Sequence, residues 1–256
     1  MHIVVCVKAV PANVKMPVPK PDGSGVLTEG DAFMNESDDY ALEQALLLKR
    51  SLGCKVTALT LGTIKSQDVL HVSIAKGADE AVRIDADEFD PNIISYMLAA
   101  AIRTMDCDLI LTGVESADGM ASQVPVSIAA HLGIPYVYAV SKTELESVDG
   151  PMIVTRELGG GRHQTLEVSK PALLCTQSGT VPLTYTPVVK LIHARRRGLP
   201  TLNAASLQIS EEDLAQRRKT RVVDVKPVDK SSSTQWLSGT PQALAREIMN
   251  KIAEVR

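Results

Sequence analysis

The residues with the clearest chemical reach lie between positions 113 and 133, in the stretch GVESADGMASQVPVSIAAHLG. Gly113, Ser116, Ala117, Gly119, Ala121 and Ser122 are small, so backbone N–H groups along this loop can come close to an anion. The apolar repeat that follows predicts a helix beginning near Met120–Gln123, and its positive end would face the same anion. Ser122 and Gln123 are placed either to cap that helix or to bond a phosphate. Two readings stand on spacing alone: a nucleotide phosphate site, or a tight loop with a capped helix and no ligand.

Other chemistry is sparse. There is no Walker A sequence and no GxGxxG after the first strand, and the run Gly159–Gly161 falls between two strand-like segments, where it predicts a hairpin turn. The five histidines show no metal spacing, and Ser116 precedes Asp118 without a GxSxG elbow around it. Asp38 and Asp39 stand at a predicted helix start, where the helix dipole favours carboxylates whatever their function. The expectation is a chain that performs no covalent chemistry by itself.

Positioning the 113–133 loop falls to an alternation of strands and helices. Strands are predicted at His2–Lys8, Lys55–Leu61, Glu80–Ile84, Asp108–Leu111 and Tyr136–Val140, each short and largely apolar. Between them lie helical repeats in DDYALEQALLLKRSLG, SQDVLHVSIAKG, DPNIISYMLAAAIRTM and SQVPVSIAAHLG. Asn35 or Ser37 could cap the first, and Gly53 is placed to end it. Strands separated by helices imply βαβ crossovers, hence an α/β fold with a doubly wound, mainly parallel sheet. Ligands of such sheets sit at the carboxyl ends of the strands, which here means the loops after Lys8, Leu61 and Thr112. A small hairpin is expected within VLTEGDAFMN, in a Pro/Gly-rich segment containing Pro11, Pro17, Pro19, Pro21, Gly23 and Gly25. After residue 140, Pro151–Glu157, Gln164–Val168 and Ala172–Cys175 suggest a local antiparallel addition at the sheet's edge.

The C-terminal part differs in composition. Residues 1–189 carry 14 basic and 23 acidic side chains, a net of −9, whereas residues 190–226 carry 9 basic and 4 acidic, a net of +5. A basic strap on an acidic body reads either as a partner-facing segment or as a solvated surface. Beyond Thr180 little core-forming periodicity appears until the final helix PQALAREIMNKIAEVR, and Lys226–Thr240, with Trp236, reads as an exposed linker. The expected division is an α/β domain over 1–180, a partner loop and basic helix over 181–197, and a C-terminal arm over 198–256.

Composition narrows the classes further. Aromatic residues make up 3% of the chain, too few for the stacking platforms of single-strand nucleic-acid binders. No apolar run approaches the roughly 18 residues of a membrane span, and no signal-peptide pattern opens the sequence. The four cysteines are far apart, three of them inside apolar runs, which suggests reduced, packed thiols and a cytoplasmic setting.

Several of these segments, taken in order, resemble the β subunit of electron-transfer flavoproteins. VVCVKAVP is similar to the family's opening strand and turn, and MNESDDYALEQAL to the start of its first helix. LGTIKSQDVLHVSIAKGADEAVRI, GVESADGMASQVPVSIAAHLGIP and VTRELGGGRHQTLEVSKPALLCT match further family segments, the last carrying Arg156, Gln164, Leu166, Pro171 and Leu173-Leu174 of the subunit's signature. Glu36 and Ser37 depart from the usual proline and aromatic, Gly159 from an acidic residue, and His71 from a common arginine.

The resemblance implies a Rossmann-like sheet of the adenine-nucleotide α-hydrolase-like kind. It also implies a heterodimer in which an α subunit holds most of a redox FAD, while this chain buries an AMP. In electron-bifurcating relatives a second FAD takes the AMP place; the wording of the 115–125 loop favours AMP here. Carried over position by position, the nucleotide would contact Cys6 and Lys8, then Asn35, Glu36, Ser37 and Asp38, then Leu61. Asp118, Gly119, Met120, Ala121, Ser122, Gln123 and Val124 would surround the phosphates. Pro182–His193 corresponds to a loop that docks on flavin-containing dehydrogenases, with Tyr185, Val188 and Leu191 as its contact residues. An electron-transfer flavoprotein oxidoreductase or similar acceptor would take the electrons onward. A free-standing adenine-nucleotide-binding stress-type protein is the contrasting expectation, against which the basic strap and terminal helix argue. A nucleotide hydrolase would need a base and metal pair near the loop, and none is apparent.

Overall fold

The computed structural model describes residues 1–11, 18–19, 26–27, 32–221 and 234–254. It forms two compact units, Met1–Val225 and Lys226–Arg256. In chain order, the first unit begins with β1 (His2–Cys6), β2 (Ala9–Pro11), β3 (Val18–Pro19), β4 (Val26–Leu27), β5 (Ala32–Met34), α1 (Glu36–Leu52) and β6 (Lys55–Leu61). It continues with α2 (Gln67–Lys76), β7 (Glu80–Ile84), α3 (Pro91–Arg103), β8 (Leu109–Gly113), α4 (Val124–Leu132) and β9 (Tyr136–Glu144). Last come β10 (Met152–Glu157), β11 (His163–Val168), β12 (Ala172–Thr176), α5 (Val188–Arg195), β13 (Thr201–Leu202) and α6 (Glu211–Arg217).

The main sheet runs β11-β10-β9-β12-β8-β1-β6-β7-β13. From β9 across to β13 each neighbouring pair is parallel, while β9, β10 and β11 form an antiparallel meander at one edge. β1 lies between β8 and β6, so the winding of the chain reverses beside it. Both faces are covered, which is why the strands read as unbroken apolar runs rather than as alternation. Ile3 and Val5 of β1 join Val56, Ala58, Leu109 and Leu111 beneath α1 and α2, whose Leu42, Leu46, Val69 and Leu70 are buried. Val4 faces the other way, with Leu59, Ile84, Ile110 and Leu173, against Ile93, Met97 and Ile102 of α3 and Ile128 of α4. Each such side chain is worth about 1.5–3 kcal/mol when fully buried, so these two layers are the main source of the sheet's rigidity.

The fold class expected from the sequence is observed, with four corrections of detail. β12 is no part of the antiparallel edge: it lies inside the sheet, parallel to β8 and β9, and all five of its residues are buried. The antiparallel edge is made by β9, β10 and β11 instead, with β10 and β11 joined through Gly159, Gly160 and Gly161, all at positive φ. The strands within VLTEGDAFMN do not pair with each other; β4 pairs with β3, and β5 pairs with β2 in the register Val10↔Phe33. Pro17, Pro21, Gly23 and Gly25 lie outside the described residues.

The fourth concerns residues 199–220, read from the sequence as part of an arm, which pack on the α/β body. β13 adds to β7 through Thr201↔Arg83 and Leu202↔Ile84. Ile209 is buried on the α3 side, with Leu207 and Leu214 packed nearby, and the Arg217 guanidinium sits 3.9 Å over the Tyr96 ring. Short, scattered apolar residues anchor this strap, so it shows no long periodic signal. In the second unit, α7 (Pro241–Glu254) is amphipathic, with Ile248, Met249 and Ile252 exposed, and Trp236 is 93% exposed. Among the described residues no helix is long and apolar enough to cross a membrane.

Candidate functional site

Three segments far apart in sequence meet at the carboxyl ends of β1 and β8, where the winding of the chain reverses. The first is the turn after β1. The Lys8 backbone N–H donates to Asp38 Oδ2 at 2.8 Å, and Lys8 O accepts from the Asn35 N–H at 2.9 Å. The second is the start of α1, where Asn35, Ser37 and Asp38 are all buried. The third is the loop after β8. The Gly113 N–H donates to Asp38 Oδ1 at 2.9 Å, so one carboxylate ties the ends of both strands to the helix start.

Asn35 is the residue before the first turn of α1, but neither it nor Ser37 caps the helix as the sequence suggested. Their side chains reach across to the β8 loop instead. Asn35 Nδ2 donates to Glu115 O at 2.7 Å, Asn35 Oδ1 accepts from the Ala117 N–H at 3.0 Å, and Ser37 Oγ donates to Glu115 O at 2.8 Å. The first turn of α1 carries Glu36, Asp38 and Asp39, which complement the helix dipole without a side-chain cap. The seam is tight at Gly113: an added Cβ would stand 2.1 Å from Ser37 Oγ.

Over this seam Lys8 Nζ donates to Asp118 Oδ1 at 2.7 Å and to Ser116 Oγ at 3.2 Å. Burial alone would raise the Asp118 pKa, but the Lys8 ammonium holds that carboxyl below its ordinary value. Asp38 goes the other way. Its burial pushes the carboxyl up to about 7, against the two backbone N–H bonds and the nearby Lys8 charge.

The helix expected from about Met120 starts at Val124. Residues 119–123 stay open, with Met120 and Ser122 at φ 48° and 51°, and Met120 is 70% exposed. Gln123 precedes the helix without a side-chain cap bond, and the first turn of α4 carries no carboxylate. Its leading N–H groups therefore lack the side-chain acceptor that normally serves them. An uncapped helix start, a small-residue loop and an ammonium at its mouth fit a phosphate-bearing ligand.

Not every residue named from the sequence joins this network. Cys6 and Leu61 end β1 and β6, and both pack toward the α3 and α4 side of the sheet. Glu36 is exposed at the start of α1. Tyr185 and Val188, at 79% and 62% exposed, lie on and just before α5, with Leu191 half-buried beside them. The sequence reading missed Glu43, a buried carboxylate of α1 that accepts from Thr184 Oγ1 at 2.7 Å and from the Thr184 N–H at 3.1 Å. Arg50 also donates to it, at 3.1 Å. It thereby fixes the loop leading into α5, and a carboxylate in mid-helix carries no local signal of that role.

Residues 24–216 match the electron transfer flavoprotein domain family. The chain belongs to the electron transfer flavoprotein family. It is 30% identical to the electron transfer flavoprotein subunit beta of Clostridium acetobutylicum, over 100% of this chain and 96% of that one. Its likeness to the subunit beta of Bacillus subtilis is 30% over 85% of this chain and 84% of the relative. The acryloyl-CoA reductase electron transfer subunit gamma of Anaerotignum propionicum is 33% identical, over 81% of this chain and 79% of its own length. The role of this electron transfer flavoprotein chain is that of the β-type subunit. Its chemistry is flavin-linked electron transfer.

Proposed function

We propose that this chain pairs with an α subunit that holds most of a redox FAD, and that it binds AMP at the β1–β8 crevice. The observation that carries this reading is the joining of Lys8, Asn35–Asp38 and Glu115–Asp118 beside the uncapped start of α4. Lys8 and the open backbone of Asp118, Gly119, Met120, Ala121, Ser122, Gln123 and Val124 would hold the phosphate. Asn35, Glu36, Ser37 and Asp38, with Cys6 and Leu61, would line the nucleoside side. The AMP is structural, and the loop wording favours it over a second FAD.

FAD supplies the electron acceptance, and this chain's residues bind, orient and dock. Pro182–His193 presents Tyr185, Val188 and Leu191 to a flavin-containing dehydrogenase, and the name of the Anaerotignum relative points to a partner acting on an acyl-CoA. Electrons then pass to an oxidoreductase of the electron-transfer flavoprotein kind. The C-terminal helix α7 clasps the α subunit with its exposed apolar face. The chain alone turns over nothing, and it works in the cytoplasm.

Val188→Ala tests the docking assignment. In the heterodimer it should slow electron acceptance from the dehydrogenase severalfold while leaving flavin content unchanged, because an exposed anchor is lost and no core is disturbed. Loss of flavin with unchanged docking kinetics would show that the loop does something else.

A further inference from the structure

Where the docking loop runs into α5, an open groove of about 370 Å³ lies between α5 and α2. Its floor is apolar, made by Ile74, Ala75 and Ala194, and its wall is formed by Lys190, His193 and Arg197. The i, i+3, i+7 spacing sets these three along one line of α5 and the turn that follows it. All three are exposed. Among the described residues no carboxylate lies within ion-pair reach of Lys190 or Arg197, whereas the neighbouring Arg195 pairs with Asp68 at 3.3 Å. On a body whose first 189 residues carry a net charge of −9, Lys190, His193 and Arg197 gather basic side chains around one concavity.

We infer that this groove receives a carboxylate-rich segment of the dehydrogenase that docks on this chain. Charge complementarity selects the occupant. Two lysine or arginine side chains and an imidazole match Asp and Glu carboxylates, and the apolar floor accepts the methylenes of those side chains. Continuity supports it as well: Val188, Val189 and Ile192, at 62%, 64% and 47% exposed, stand on the same short helix. One partner surface would therefore cover an apolar anchor and a cationic flank together, the anchor governing dissociation and the flank governing encounter. The inference rests on the docking reading above and adds the chemistry of the partner's contact surface.

The test compares the wild-type heterodimer with a Lys190→Glu/Arg197→Glu variant and, separately, with Val188→Ala. Each is reduced by a flavin-containing dehydrogenase that passes electrons to the wild-type heterodimer. At about 20 mM salt the charge-reversed variant should show a KM for the dehydrogenase raised about tenfold, and near 0.3 M salt most of that difference should vanish. Its kcat and flavin content should match the wild type. Hexaglutamate should compete with the dehydrogenase for the wild type and not for the charge-reversed variant. If Val188→Ala raises KM and charge reversal leaves it unchanged, the groove assignment is overturned and the docking loop stands. If neither variant changes KM, the docking reading itself fails. Competition by inorganic phosphate as strong as that by hexaglutamate, or self-association of the heterodimer abolished by charge reversal, would also overturn the inference, in favour of a small-anion site or a contact between two copies.

Discussion

At Gly113 the end of β8 passes so close to the start of α1 that a Cβ would meet Ser37 Oγ at 2.1 Å, Asp38 Oδ1 at 2.5 Å and the Ser37 carbonyl carbon at 2.7 Å. The last of these is backbone and cannot swing aside. Gly113→Ala should therefore destabilise the fold by about 1–3 kcal/mol through overpacking, and should weaken nucleotide retention by pushing Asp38 away from the strand ends. Chemical unfolding and nucleotide analysis of the purified variant check both effects, and unchanged values in both would contradict the seam described. Spacing alone marks the loops after Lys8 and Thr112 as strand ends facing a ligand and singles out the small residues after Gly113; Lys8, Asn35 and Asp38 as contact residues come only from the family resemblance. Neither shows their mutual bonds. Asp38 serves Lys8, 30 positions away, and Gly113, 75 positions away, and a contact at that distance leaves no local spacing to read. At a helix start, Asp38 looked like an ordinary partner of the dipole.

Between elements, the strap after α5 is held by a pair of carboxylates ahead of α3. Asp90 accepts the backbone N–H groups of Lys219 and Thr220, both at 2.6 Å, and Glu88 takes a two-pronged bond from Arg218 at 2.8 and 3.0 Å. Burial would raise the Asp90 pKa, but the N–H bonds from Thr220, Asn92 and Lys219 bring it down to about 2. Asp90→Ala should cost about 1–3 kcal/mol by leaving these donors without their acceptor. The sign of the pH effect follows from the depressed value. The contribution is complete above the ordinary carboxylate pKa of 3.8 and is lost as pH falls toward about 2. Unfolding curves should accordingly show the gap between wild type and Asp90→Ala narrowing as pH falls from about 3.8 to about 2, and a gap undiminished at about pH 2 would refute the latch. Sequence periodicity identified the strands and helices of the sheet because each is long enough to repeat. It missed β13, two residues long, and the strap's anchors Leu207, Ile209 and Leu214. It misjudged β12 for a different reason. The run ALLCT has the unbroken apolar character of a parallel strand, but its position after a hairpin argued for continuing the meander.

Across the whole molecule, the −9 of residues 1–189 is offset by +5 in residues 190–226 and +1 in residues 227–256, leaving a net charge of −3. The strap does not stand apart as an arm: its anchored part completes the sheet at β7 and closes over α3, while α5 presents the apolar and cationic residues outward. The second unit, Lys226–Arg256, carries α7. The site and the loop leading into α5 are joined by one helix, with Asp38 at the start of α1 holding the strand ends and Glu43 farther along holding Thr184. The proposed state is an AMP held in the crevice of a flavin-carrying heterodimer. It is tested most directly by co-expressing this chain with its α subunit, denaturing the purified complex, and quantifying the released nucleotides by chromatography and absorbance. One FAD and one AMP per heterodimer are expected; two FAD, or a stable monomer that binds ATP and never pairs with an α-type chain, would contradict the proposed function.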